Sequence, residues 1–151
     1  MTLLRVEVSS GTIMFSSALT VTDCILMSTQ LIGSTASSLL SISGGTLTGS
    51  AMSLSGGSVV IEGSSVLVNS PVSITGTTLS VSQCELQSDG ASVPLTIESG
   101  GSATVTGTVF HSSVGNVTAM SVSDGGSFVV GESQLIGGDG ISDPFPCDGT
   151  P

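Results

Sequence analysis

Short segments of alternating apolar and polar residues recur along this chain in one repeating frame. The octets "LTVTDCIL" (19–26) and "LSVSQCEL" (79–86) share it: apolar residues at the first, third and eighth positions and a small residue at the sixth. The same frame fits six segments, which start at residues 19, 40, 59, 79, 103 and 128. Repeats at this near-even period indicate structural units that stack on one another.

A second short segment with the same alternation precedes most of these octets. Its apolar pairs are Ile13/Phe15, Met52/Leu54, Val72/Ile74, Leu95/Ile97 and Met120/Val122. Alternation with a period of two is typical of β-strands, and the Gly residues that follow most of the pairs mark bends between strands. No segment shows helical spacing, and the many Val, Ile and Thr residues favour strands.

Two all-β architectures contain short strands with regular turns. An antiparallel sandwich or barrel gives no reason for successive strands to resemble one another, whereas a solenoid repeats its inward positions coil after coil. The repeated frame therefore predicts a right-handed, three-sided parallel β-helix of about six coils over residues 1–136, with ~20–25 residues in each coil. Residues 137–151 break the frame and are expected to form an irregular C-terminal tail or cap.

The two matching octets place two cysteines at the same position, three coils apart. Because parallel strands lie about 4.7–4.9 Å apart, Cys24 and Cys84 should be separated by roughly 14 Å. A disulfide needs Cα atoms within about 7 Å, so both are expected to be buried free thiols. Cys147 lies in the tail, and Arg5 is expected to precede the first coil.

The last two coils of the frame are longer than the others. Their extra residues are expected around 111–119, "HSSVGNVTA", as a projecting loop. This segment contains Asn116 in the triplet Asn-Val-Thr, which is a candidate N-glycosylation site if the protein is secreted.

The charge of the chain excludes several classes of partner. There are 11 acidic residues, one Arg and no Lys, and the net charge is −10. A nucleic-acid ligand would need Lys or Arg to neutralise its phosphates, and an anionic membrane surface would repel the chain. No apolar run approaches the ~20 residues of a membrane-spanning helix, so no membrane insertion is expected.

The residues that carry chemistry in other β-helices are dispersed here. Glycan lyases and hydrolases need clustered carboxylates, with a cation to stabilise developing charge. At the fifth position of the frame no two successive coils are both charged, because the residues there are Asp23, Gly44, Gly63, Gln83, Gly107 and Glu132. His111 is the only His, which disfavours zinc and a nucleophilic triad. No catalytic residue, metal or cofactor is predicted.

Outward-facing hydroxyl groups are the one ordered surface feature that the frame predicts. The pairs at its second and fourth positions are Thr20/Thr22, Ser41/Ser43, Ser80/Ser82 and Thr104/Thr106, interrupted by Val60/Glu62 and Val129/Gly131. The neighbouring strand contributes Ser53/Ser55, Ser73/Thr75, Thr96/Glu98 and Ser121/Ser123. Stacked strands would arrange these groups about 6.6 Å apart along a strand and about 4.7 Å apart between strands. This predicted hydroxyl grid is a candidate binding surface.

Two segments resemble the repeats of large right-handed β-helix surface proteins. They are "LTIESGGSATVTGTVF" (95–110) and "MSVSDGGSFVVGESQL" (120–135), and the resemblance of pattern extends over about residues 6–136. The similar families are bacterial polymorphic outer-membrane and autotransporter passenger domains, and the dispersed gene family 1 proteins of trypanosomes. The resemblance implies an adhesin or surface coat without catalytic residues.

These observations favour a non-enzymatic, extracellular or cell-surface β-solenoid used for adhesion or surface structure. The expected partner is a glycan, a cell surface or another flat ligand, and end-to-end contact with further β-helix coils is a second expectation. Ice binding through the hydroxyl grid is the alternative function, and a glycan-active enzyme is the third.

Overall fold

The chain forms a parallel β-solenoid with three sides. The computed structural model describes residues 1–63, 66–88, 94–112, 120–136 and 142–144, and every regular element in these residues is a β-strand. The strands form three stacked sheets, which the chain visits in a fixed order, A then B then C, in every coil. The expected all-β parallel solenoid is confirmed.

The strands of each sheet follow one another along the solenoid axis. Sheet A contains β1 (Thr2–Leu4), β4 (Ala18–Thr22), β7 (Leu39–Ser43), β10 (Ser58–Glu62), β13 (Thr78–Ser82), β16 (Ser102–Thr106) and β19 (Ser127–Gly131). Sheet B contains β2 (Glu7–Val8), β5 (Ile25–Met27), β8 (Thr46–Thr48), β11 (Val66–Val68), β14 (Glu85–Ser88), β17 (Val109–Ser112), β20 (Gln134–Ile136) and β21 (Ser142–Pro144). Sheet C contains β3 (Gly11–Phe15), β6 (Thr29–Gly33), β9 (Ala51–Ser55), β12 (Val72–Thr75), β15 (Leu95–Glu98) and β18 (Met120–Val122).

The register between coils is the one that the repeated frame predicts. The residues at the first position of the frame pair with one another across sheet A, in the order Leu19, Leu40, Val59, Leu79, Ala103 and Phe128. All strand pairs are parallel except that between β20 and β21. Sheet A contains seven stacked strands, so the chain passes from one coil to the next six times, in agreement with the predicted number of about six coils.

A single apolar core runs along the axis inside the three sheets. Sheets A and C each contribute two inward residues to an interior coil, and sheet B contributes one. The coil from β13 to β15, for example, buries Leu79, Val81, Leu86, Leu95 and Ile97, each at most 2% exposed. Because strand side chains alternate between the two faces, the polar residues between these positions lie outside.

Strand β6 was absent from the predicted set because its inward pair is Leu31 and Gly33. Gly33 pairs with Phe15 of the preceding coil and with Leu54 of the next. A Cβ atom on Gly33 would lie 3.0 Å from Cε2 and Cζ of the Phe15 ring. The Phe15 ring therefore fills the space of two side chains. Because β6 has glycine where other strands have an apolar side chain, its sequence does not show the apolar alternation.

The two ends of the solenoid differ from the prediction. Arg5 does not precede the first coil, because β1, β2 and β3 form one more coil before the first match of the frame. Phe128 was expected to point into the core, yet it is 46% exposed. It lies on β19, the last strand of sheet A in the described residues, so no further coil covers the ring there.

The two longer coils take up their extra residues in different places. The first does so between β14 and β15, and the second between β17 and β18. The prediction placed both near 111–119, but His111 belongs to strand β17 and pairs with Gln87. Asn116, most of the predicted loop and Cys147 lie outside the described residues. Within the predicted tail, β21 pairs antiparallel with β20.

The two cysteines of the matching octets are buried thiols, as expected. They occupy the same position after β4 and β13, which are three coils apart in sheet A. Each thiol donates a hydrogen bond to the carbonyl oxygen two residues earlier, Cys24 to Thr22 at 3.2 Å and Cys84 to Ser82 at 3.1 Å. Thr108 makes the same bond to Thr106 in the coil after Cys84, so in these three coils the side chain at the sixth position of the frame closes the turn that follows sheet A.

We predict a large loss of stability for one substitution on β13 and almost none for its neighbour. Val81→Asp places an unpaired carboxylate at a site that is 1% exposed, which should lower the free energy of unfolding by at least about 3 kcal/mol. Ser80→Asp points outward between Val60 and Thr104, and should change it by less than about 0.5–1 kcal/mol. Urea unfolding followed by circular dichroism measures both, and equal losses would contradict the inward assignment of Val81.

Candidate binding face

The corner between sheets A and B explains the residue types at the fifth position of the frame. Arg5 and the six frame residues there all have a positive φ between 48° and 70°, as described in the structure. Gly, Asp and Asn adopt this left-handed conformation at the lowest cost, and other residues adopt it less often. Its occupants are Arg5, Asp23, Gly44, Gly63, Gln83, Gly107 and Glu132, which we call the corner column.

The corner column continues the hydrogen bonding of the sheets from coil to coil. The Asp23 amide donates to the Ser43 carbonyl at 3.0 Å, and the Gly44 amide donates to that of Glu62 at 3.2 Å. A Cβ atom on Gly44 would lie 2.5 Å from Oδ1 of Asp23, so a larger residue there would displace the Asp23 side chain. Glycine therefore separates the acidic residues of this column.

Metal-ligating side chains do not cluster in the described part of the chain. No group of three His, Cys, Asp or Glu residues there could hold a metal ion. Arg5 Nε lies 3.9 Å from Asp23 Oδ2, but the two side chains are 80% and 55% exposed. His111 is exposed on the outer side of sheet B, between Gln87 and Ile136. Gln87 donates a hydrogen bond to Glu85 Oε1 at 2.6 Å.

A different set of hydroxyl groups is buried at the corner between sheets B and C. The Ser50 hydroxyl donates to the Leu26 carbonyl at 3.1 Å and accepts from the Thr29 amide at 3.2 Å. The Ser70 hydroxyl repeats this one coil later, donating to the Leu47 carbonyl at 2.9 Å and accepting from the Ser50 amide at 3.1 Å. These corner hydroxyls satisfy backbone groups that the turns would otherwise bury unpaired.

The predicted outward hydroxyls of sheet A lie in two columns that run along the solenoid axis. One column contains Thr20, Ser41, Val60, Ser80, Thr104 and Val129, and the other contains Thr22, Ser43, Glu62, Ser82, Thr106 and Gly131. Their side chains are half-buried or exposed on the outer face. Val60 divides the first column into two pairs of hydroxyl residues, and Glu62 divides the second in the same way.

A third hydroxyl column on sheet A was missing from the prediction. It contains Ser58, Thr78, Ser102 and Ser127, which pair with one another across β10, β13, β16 and β19. The frame begins at an inward residue, and these residues lie one position before it, so the predicted hydroxyl grid did not include them. Strands β13 and β16 together carry six hydroxyl residues in a two-by-three array, which we call the hydroxyl patch: Thr78, Ser80, Ser82, Ser102, Thr104 and Thr106.

The predicted hydroxyls of sheet C lie in register with one another but form a less regular surface. Ser53, Ser73, Thr96 and Ser121 pair in one column, which begins with the apolar residues Met14 and Ile32. Ser55 and Thr75 pair in the second column with Glu98. Ser123 follows β18, and its amide donates to the Ile97 carbonyl at 3.0 Å.

The hydroxyls of the patch differ from the corner hydroxyls in what they bind. Within the described residues, none of the six patch side chains makes a hydrogen bond to another side chain or to the backbone. The corner hydroxyls of Thr29, Ser50 and Ser70, and that of Thr77 at the corner between sheets C and A, are all used by the backbone of their own or the adjacent coil. The patch therefore keeps its donors and acceptors available for water or for a ligand.

Sheet B presents an outer face of another kind. Its outward positions include Ile25, Met27, Val66, Val68 and Val109. Ile25 is 46% exposed. The three sides of the solenoid are therefore chemically distinct, and sheet A carries the densest array of unbonded hydroxyl groups.

Comparisons with known proteins provide no named relative for this arrangement. No family model, no curated protein and no solved structure matches the chain. None of the described residues forms a helix long and apolar enough to cross a membrane.

We predict that the corner hydroxyls contribute to stability and that the outward ones do not. Ser50→Ala removes the donor to the Leu26 carbonyl and the acceptor for the Thr29 amide, and should cost about 1–3 kcal/mol of unfolding free energy. Ser53→Ala, an exposed residue of the next strand, should cost less than about 0.5 kcal/mol. Chemical denaturation of both variants tests this, and equal midpoints would contradict the structural role of Ser50.

Proposed function

We propose that this chain is a non-enzymatic β-solenoid segment of an extracellular or cell-surface protein, and that it adheres to a neutral, hydroxyl-rich surface through sheet A. The observation that carries the proposal is the hydroxyl patch: six outward Ser and Thr residues on two adjacent strands, whose side-chain hydroxyls form no hydrogen bond to a described group. The partner that suits it best is a polysaccharide.

The chemistry of the patch suits a neutral polymer better than a charged one. A hydroxyl group both donates and accepts hydrogen bonds, so it pairs with the hydroxyls of a sugar in either direction. The six patch residues carry no charge, and Glu62 is the one ionisable residue in the three hydroxyl columns of sheet A. Each such bond contributes only about 0.5–1.5 kcal/mol net, so adhesion requires many contacts at once, as a flat array on a rigid sheet provides.

The distribution of ionisable groups supports a role without catalysis. Acid–base cleavage of glycans uses two carboxyl groups about 5–10 Å apart on either side of the bond. Three glycines and Gln83 separate Asp23 from Glu132 in the corner column, and the patch itself carries no carboxylate. A surface that only binds needs no such pair.

Assignment to the extracellular or cell-surface class rests on sequence character and on resemblance. The β-solenoid is common to this chain and to the surface proteins whose repeats it resembles. The excess of acidic over basic residues, 11 against one, suits a protein displayed in solution. Asn116 remains the candidate glycosylation site of such a protein.

Ice binding is the second candidate function, and one observation favours it. The hydroxyl columns of sheet A repeat in two dimensions, with a strand-to-strand step of about 4.8 Å and a step along the strand of about 6.6 Å. A periodic array can match a crystal lattice, whereas a polysaccharide chain requires regularity mainly in one direction. Thermal hysteresis of the purified protein separates the two functions.

We predict that a bulky side chain on sheet A abolishes adhesion and that one on sheet B does not. Ser80→Tyr adds a ring at the centre of one row of the patch, so a flat ligand can no longer contact its neighbours. Val68→Tyr, on the outer face of sheet B between Thr48 and Gln87, is the matched control. Retention on insoluble cellulose and chitin should fall at least about tenfold for Ser80→Tyr, which corresponds to ~1.4 kcal/mol, and should be unchanged for Val68→Tyr.

A third variant tests the choice of face. Ser73→Tyr lies in the hydroxyl column of sheet C, between Ser53 and Thr96. Loss of binding in Ser73→Tyr with normal binding in Ser80→Tyr would move the site to sheet C. Failure of the unmodified protein to bind either polysaccharide, together with measurable thermal hysteresis, would replace the proposed function by ice binding.

A further inference from the structure

The outer face of sheet B alternates between apolar and polar strands from coil to coil. Strands β5 and β11 each present two apolar residues, β8 and β14 present two polar ones, and β17 presents one of each. Ile25 is 46% exposed, and the other apolar residues of this face are half-buried. The outward residues form two columns, Ile25, Thr46, Val66, Glu85 and Val109, and Met27, Thr48, Val68, Gln87 and His111, which we call the sheet B face.

The order of strands on the sheet B face reads nearly the same in both directions from β11. Suppose that a second copy faces this sheet with its solenoid axis reversed and with a two-fold axis that runs along β11. Val66 and Val68 then lie opposite the same residues of the second copy, and Ile25 lies opposite Val109. A surface that matches itself under a two-fold axis is the requirement for an isologous dimer.

The polar strands match in the same arrangement. Thr46 of β8 lies opposite Glu85 of β14 in the second copy, and Thr48 lies opposite Gln87. Within one chain, Gln87 Nε2 donates to Glu85 Oε1 at 2.6 Å. A threonine hydroxyl can donate to a carboxylate or to an amide oxygen, so each polar strand meets a complementary one. The last pair sets the imidazole of His111 opposite Met27, whose thioether is a weak acceptor.

Charge favours both this face and the reversed orientation. The chain has a net charge of −10, so its copies repel one another. Glu85 is the one carboxylate among the ten residues of the sheet B face. The reversed orientation sets the two Glu85 residues two strands apart, about 9.6 Å along the axis. Parallel axes would place both on directly facing strands, with greater repulsion.

We propose that two copies of this chain associate through the sheet B face, with antiparallel solenoid axes and a two-fold axis along β11. Five strands of three residues cover an area of about 24 Å by about 10 Å. This is well below the ~800 Å² per partner of a standard stable interface, so the dimer is weak and forms at high local concentration. Sheet A lies on another side of the solenoid, and the hydroxyl patch stays accessible.

Sedimentation equilibrium over a concentration series, up to about 1 mM, tests the use of this face. Val68→Glu introduces a carboxylate between Thr48 and Gln87, next to its own copy at the two-fold axis. The association constant should fall at least about tenfold. Ser53→Glu adds the same charge at an exposed position of sheet C and should change it less than about twofold.

Two outcomes of this series would overturn the proposal, provided that circular dichroism shows both variants to be folded. One is an unmodified chain that stays monomeric throughout the series. The other is an equal loss of association in Val68→Glu and Ser53→Glu, which would show that net charge acts without regard to the face.

Carbodiimide cross-linking tests the orientation. The chain has no Lys, so an introduced lysine supplies a single side-chain amine. Thr46→Lys places it opposite Glu85 of the second copy when the axes are reversed, whereas Gln87→Lys does so when they are parallel. The carbodiimide joins amine and carboxylate as an amide and takes up the water released. The N-terminal amine gives the same background in both variants.

The expected product is a covalent dimer of Thr46→Lys, linked from position 46 to Glu85 and identified by mass spectrometry. Its yield should be at least about fivefold above that of Gln87→Lys. Equal yields would indicate random collisions and would overturn the proposal. A higher yield for Gln87→Lys would overturn the reversed orientation in favour of parallel axes.

Discussion

Parallel hydrogen bonding in strict register between successive coils is the constraint on which the rest of this structure depends. Side chains of a strand alternate between faces, so a slip of one residue would turn Leu79 and Val81 outward and bury the serines beside them. The corner column resets the direction of the chain in every coil through residues with positive φ. Buried hydroxyls such as those of Ser50 and Ser70 then bond the turns of one coil to those of the next.

The surface chemistry is a consequence of the same register. Once the inward positions are aligned, the residues between them align as well, so a preference for Ser and Thr at outward positions becomes a set of columns. The patch on β13 and β16 is the most complete result, because no valine or carboxylate interrupts it.

Much of this architecture follows from the sequence because each coil repeats the same requirement. The octets around Cys24 and Cys84 are alike because the positions they fill are alike, and the inward pairs were found in the correct register. Strand β6 was missed because Phe15 fills the space beside Gly33, which is a contact between coils that no local pattern reveals. At the fifth position of the frame the sequence indicates only dispersed carboxylates, whereas the property that the residues of the corner column share is the left-handed conformation.

The hydroxyl columns of the candidate binding face could be predicted in part, because each coil repeats the same alternation of inward and outward residues. Alternation identified the hydroxyl pairs of the frame, but the column of Thr78 and Ser102 lies outside the frame and required the strand boundaries. Which hydroxyls are already bonded could not be read from the sequence, since Ser50 and Ser53 are both serines in the same short segment. Their difference arises from the corner, where one side chain turns towards the backbone of the neighbouring coil.

The central claim is that each interior strand pairs in parallel with strands one coil before and one coil after it, and NMR distances between backbone protons test it most directly. The account predicts nuclear Overhauser effects that link the backbone around Ser80 with that around Val60 and with that around Thr104. Further pairs should advance in the same direction along all three strands. Contacts between β13 and its sequence neighbours β12 or β14, running in opposite directions as in an antiparallel sandwich, would contradict the account.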